Sequence, residues 1–96
     1  MGTNARRKPE RLAEKLLVIR EMLGLSQNGM IRRLGLDETL TQAEISAYER
    51  GTRVPSLPTL LEYAAVANVW LDVLADDGLE LPARLPAPSK SGGLKR

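Results

Sequence analysis

Three hydroxyl side chains, Ser26, Thr41 and Ser56, each stand just before a short run of apolar residues at helical spacing, and glycines at 24, 35 and 51 each stand just after one. A Ser or Thr at such a position accepts a hydrogen bond from a first-turn amide, and a glycine closes a helix without a Cβ penalty. Punctuation this dense leaves room only for short helices. The first is expected over about 9 to 23, where Pro9 suits the opening turn and Leu12, Leu16, Ile19 and Leu23 form one face. The second is expected over 27 to 34 with Met30, Ile31 and Leu34 inward; Gly29 inside it weakens it by up to about 1 kcal/mol relative to alanine, so its helicity depends on packing.

For the third helix Thr41 and Glu44 have the spacing of a capping box, in which each side chain satisfies the other's backbone amide. Asp37 offers a competing cap four residues earlier; Thr41 is preferred, with the helix ending at Arg50. The fourth follows Ser56, tolerates Pro58 in its first turn and ends near Asn68; a brief fifth, about 69 to 75, carries Trp70, Leu71 and Leu74. No stretch alternates in the manner of a strand. The expected fold is all-α, a compact bundle of five short helices.

Ninety-six residues allow one small domain. Boundaries are expected at 1–8 for a flexible basic arm, 9–78 for the folded domain and 79–96 for a Pro- and Gly-rich flexible tail, of which Leu79 and Leu81 have the character to pack back. Cysteine and histidine are both absent, which removes disulfides, thiolate or imidazole metal sites and the commonest general base. No metal and no cofactor is expected. The N-terminus has no apolar run of a secretory signal and no stretch approaches the ~20 apolar residues of a membrane span, so a cytoplasmic protein is expected.

The net charge of +2 conceals segregation: residues 1–20 carry +4, 21–60 carry −1, 61–83 carry −5 and 84–96 carry +4. One region suits a polyanion and another does not. With Ile45 and Tyr48 turned inward, the outer side of the third helix holds Ala43, Ser46, Ala47 and Arg50, with Gln42 beside them. That face is small and nearly featureless, which suits either a poorly decorated surface or one meant to lie close against another.

Two capped short helices followed by a loop and an apolar helix suit a helix-turn-helix unit. The residues sharpen this. REMLGLSQ runs from Arg20 and ISAYERGTRVPSLPTLLEYA from Ile45. The chain resembles the phage-repressor-like (Cro and repressor-protein, XRE-like) helix-turn-helix family over about residues 12 to 76. It departs from the family pattern in about four extra residues near 36 to 39, and in Ile31 where the family usually has alanine; both bear on the register of the third helix, and Glu38 or Thr39 could join its contact set.

The resemblance implies double-stranded DNA as partner and assigns roles. Gln42, Ala43 and Ala47, with Ser46 beside them, match positions that face base edges; Gln can pair bidentately with adenine and Ala can meet a thymine methyl. Ser26 and Gln27 match a helix start that grips a phosphate, where free amides and the helix dipole favour an anion. Arg50, Thr52 and Arg53 are expected at phosphates, whereas Arg32 and Arg33 stay undecided between that role and the helix dipole. Arg20 and Glu49 match a structural ion pair. The arm residues Arg6, Arg7 and Lys8 are expected to follow the DNA backbone or enter a groove.

The expected function is a sequence-specific transcriptional regulator, a repressor bound to a pseudo-palindromic operator as a homodimer, with Trp70, Leu71, Leu74, Leu79 and Leu81 as candidates for either the dimer surface or core closure. The alternative is a protein-interaction module, antitoxin-like or coactivator-like, that retains the fold for a protein partner. No enzyme is expected: no phosphate-cradling loop, no nucleophile with a base and no metal spacing is present.

Overall fold

A computed structural model describes residues 10–86. Five helices follow in order: α1 (Leu12–Leu23), α2 (Gln27–Leu34), α3 (Gln42–Arg50), α4 (Leu57–Ala67) and α5 (Leu71–Ala75). Helix α1 packs on α3 and α5, α2 on α3 and α4, and α4 on α5. Leu16, Ile19, Met30, Ile45, Tyr63 and Leu74 are fully buried where these helices meet. Each apolar side chain of this size contributes ~1.5–3 kcal/mol on burial, enough in sum to hold helices too short to persist alone.

The caps that the sequence announces form. Ser26 Oγ accepts from the Gly29 amide at 2.9 Å, and Ser56 Oγ from the Thr59 amide at 3.3 Å. A Cβ at Gly29 would lie 3.1 Å from Ser26 Oγ, so the absent side chain gives the cap its room. Thr41 Oγ1 accepts from the Glu44 amide at 3.3 Å while Glu44 Oε1 accepts from the Thr41 amide at 3.0 Å, which settles the start of α3 in favour of Thr41 over Asp37.

Helix boundaries depart from expectation at two places. Helix α1 begins at Leu12 and not near 9, because Asp77 takes the amides just ahead of it: Oδ2 accepts from Glu10 N at 2.8 Å and Oδ1 from Arg11 N at 3.0 Å. Helix α5 begins at Leu71 and not Val69, because α4 ends in a left-handed Asn68 (φ 61°) and the Val69 amide turns back to Ala64 O at 3.0 Å.

The segment after α5 is tied to α1. Lys15 is 1 % exposed, and its ammonium donates to the carbonyls of Val73, Asp76 and Leu79 at 2.7, 3.0 and 2.8 Å. Arg11 pairs with Glu80 at 2.9 Å. Residues 79–86, assigned to the tail from sequence, pack Leu81 and Leu85 against the core. The arm residues Arg6, Arg7 and Lys8, and tail residues 87–96, lie outside the described residues.

Candidate nucleic-acid interface

Four side chains link α1, α2 and α3 end to end. Arg20 of α1 forks onto Glu49 of α3, Nε to Oε2 at 2.6 Å and Nη2 to Oε1 at 2.9 Å, and its Nη1 closes the α1–α2 turn on Leu25 O at 3.0 Å. Gln27, the first residue of α2, donates from Nε2 to Glu49 Oε1 at 3.1 Å. Its own Oε1 accepts from Gln42 Nε2 at 3.1 Å, and Gln42 is the first residue of α3. The Glu49 side chain is 5 % exposed and that of Arg20 18 %, so removing either partner would leave a charge without compensation, at about 3 kcal/mol.

The chain fixes what Gln42 presents. One N–H of its carboxamide is held by Gln27; the other N–H and Oε1 remain. That donor and acceptor are the two groups an adenine edge requires in the major groove. Ala43 is exposed next to it, and Ser46, half-buried, accepts from Arg50 Nη1 at 3.1 Å. Ala47 departs from the sequence reading of the outer face: it is only 8 % exposed. The Ala47 carbonyl accepts from the Thr52 amide at 3.0 Å and from Thr52 Oγ1 at 3.3 Å.

Around this face stand the residues expected at phosphates. Ser26 uses its hydroxyl on Gly29, and the other first-turn amides of α2 keep the outward orientation of a helix start. Arg50, Thr52 and Arg53 are exposed at the end of α3 and just beyond it, and Arg53 lies 3.8 Å from Glu44 in a loose surface pair. Glu44 is thereby occupied twice, by the capping box and by Arg53.

The inserted turn also has a defined form. Thr39 and Leu40 amides both reach back to Leu36 O, at 2.9 and 2.8 Å, while Leu36 and Leu40 pack inward and Asp37, Glu38 and Thr39 are exposed. Ile31 is 5 % exposed within the same core, so its bulk and the longer turn are accommodated together.

Sequence reasoning missed the Gln27 link between Gln42 and Glu49, and missed Lys15 and Asp77. Lys15 carried a signal, since it lies on the apolar row of α1 beside Leu12, Leu16 and Ile19. Among the described residues no helix is long and apolar enough to cross a membrane, and no group of acidic side chains could hold a metal ion.

The helix-turn-helix family profile matches residues 16–74, well over half of the chain and from within α1 to within α5. No curated protein and no solved structure matches the chain significantly. By that match, and by the helices and turn it covers, the chain belongs to the phage-repressor-like (Cro and repressor-protein, XRE-like) helix-turn-helix family of DNA-binding transcription regulators.

Proposed function

We propose that the chain is a sequence-specific regulator that represses transcription by occupying a pseudo-palindromic operator as a homodimer. The observation that carries the sequence-specific part is the Gln42–Gln27–Glu49–Arg20 chain, which holds a base-reading carboxamide at the tip of α3. Gln42 reads an adenine, Ala43 and Ser46 face the neighbouring base edges, and Ala47 offers only the edge of its methyl. Ser26, Gln27, Arg50, Thr52 and Arg53 set position through phosphates, and Arg6, Arg7 and Lys8 extend the contact along the DNA.

Charge reversal at Arg53 then weakens binding to every duplex alike, whereas Gln42→Ala relaxes preference at one base position, worth ~1–3 kcal/mol there. Equal, sequence-independent effects of the two would remove Gln42 from base reading.

Dimerisation is supported by apolar surface exposed among the described residues. Leu74 is fully buried and Leu71 and Leu81 pack on the core, so of the residues considered for a dimer surface Trp70, 59 % exposed, and Leu79 remain. Sedimentation at micromolar concentration yields two chains on this reading, and a persistent monomer with and without DNA contradicts it. The same exposed Trp70 favours a second reading, a protein-interaction module of antitoxin-like or coactivator-like kind. Salt separates them: a protein making several phosphate contacts loses DNA affinity steeply as salt rises, and a module that has given up DNA does not.

A further inference from the structure

Two adjacent arginines of α2, Arg32 and Arg33, are both exposed, both in the last turn, and neither has an ion-pair or hydrogen-bond partner among the described residues. Sequence makes them equivalent; the fold does not. Arg33 lines a groove with Met22, Leu23, Val66 and Arg84. Arg32 lines a separate cleft of about 200 Å³, where its neighbours include Asn28 one helical turn earlier, Thr41 and Gln42 from the start of α3, and Asp37 from the inserted turn.

We propose that Arg32, assisted by Asn28, binds a phosphate of the DNA backbone flanking the base read by Gln42, and that Asp37 opposes it. This rests on the DNA-binding reading and adds to it a second contact row along α2. The row presents donors that an anion can use: the guanidinium and the Asn28 carboxamide N–H, four residues apart on one helix face, both side chains without partners among the described residues and lining the cleft that Gln42 also lines. Asp37 lies in the inserted turn, so the insertion places a carboxylate beside the phosphate track and lowers affinity for all sequences alike. Arg33 takes no part, although its charge and its distance along the helix are almost the same.

The test compares Arg32→Ala, Arg33→Ala and Asp37→Ala on two probes, a random-sequence duplex and the duplex the wild-type chain selects from a random pool, with melting points measured to confirm folding. One phosphate contact enters affinity as salt to the power of about −0.9, so Arg32→Ala should weaken both probes roughly fivefold at ~0.15 M salt and lower the log–log salt slope by about 0.9. Arg33→Ala should leave affinity within roughly twofold, since charges beyond a Debye length of about 8 Å are largely screened. Asp37→Ala should tighten binding to both probes, and none of the three should alter the selected sequence. Equal effects of Arg32→Ala and Arg33→Ala, or a base preference changed by Arg32→Ala, overturn the inference while leaving the DNA-binding reading intact; failure of the wild-type chain to bind either probe overturns both.

Discussion

Gln42 and Gln27 meet through their carboxamides, Nε2 of the first donating to Oε1 of the second at 3.1 Å, although the two residues belong to different helices and are separated by the inserted turn. Gln27 in turn rests on Glu49, and Glu49 on Arg20. A long side chain that must pair with a base loses rotamer freedom on binding; one already held by a neighbour loses less. If Gln42 reads a base and Gln27 meets a phosphate as proposed, Gln27→Ala is expected to relax preference at that base as well as to weaken phosphate contact. Binding to a matched and a singly mismatched duplex measures this: discrimination at that position should fall by about 1 kcal/mol, a factor of roughly five. Discrimination unchanged in Gln27→Ala would mean that Gln42 needs no support.

Tyr63 is the hydrogen-bonding exception of the core. Its side chain is fully buried on α4, its hydroxyl has no partner among the described residues, and burial, with Glu49 nearby, pushes the phenol pKa well up. A buried donor without an acceptor destabilises the fold by about 1–3 kcal/mol. Tyr63→Phe keeps the ring, removes the orphan, and is expected to be neutral or to raise stability by up to ~1 kcal/mol in urea unfolding. A loss above ~1 kcal/mol would show that the hydroxyl is satisfied in solution.

Lys15 behaves in the opposite way. Its ammonium supplies three carbonyls at the end of α5 and in the segment after it, so Lys15→Met retains most of the volume and leaves these acceptors bare. The expected loss is roughly 3 kcal/mol in unfolding free energy, together with faster amide exchange in residues 73–81. Unchanged exchange there would contradict the role given to the ammonium.

Asp77 holds the two amides just ahead of α1, that of Arg11 across 66 residues of sequence. The amide of Arg11 first, and that of Glu10 second, hold its carboxyl below the usual aspartate range. A carboxylate lowered in the folded state stabilises fully above the ordinary value of about 4 and loses that contribution as pH falls through the lowered one. Asp77→Asn should therefore reduce the melting temperature at pH 7 and narrow its difference from wild type below pH 4. A difference constant from pH 7 to pH 2 would exclude the carboxylate charge as the cause.

The elements that were legible in the sequence are those whose signal is local. Thr41 and Glu44 lie three residues apart, and their reciprocal bonds start α3 where the spacing indicates. The end of α1 is local in the same way: Gly24 closes it in the left-handed conformation. Its start is not local, because Asp77 interrupts it from the far end of the domain, and nothing near Glu10 announces that. Ala47 was misplaced for a related reason: periodicity within α3 puts it beside Ala43, but in the folded domain it is buried, and its carbonyl takes the Thr52 hydroxyl from the connection that follows. The separation of Arg32 from Arg33 likewise needs the tertiary fold, since one step along a short helix turns a side chain from one groove to another. The contact set itself, unlike the fold, rests on chemistry between this chain and a second molecule.

Selection of bound duplexes from a random pool at near-physiological salt, followed by sequencing, tests the proposed regulator most directly. The expected result is an enriched two-fold motif, with half-sites about one helical turn apart and an adenine position that Gln42→Ala releases. No enrichment, with at most weak binding that salt abolishes, would contradict sequence-specific operator recognition and leave the fold to a protein partner.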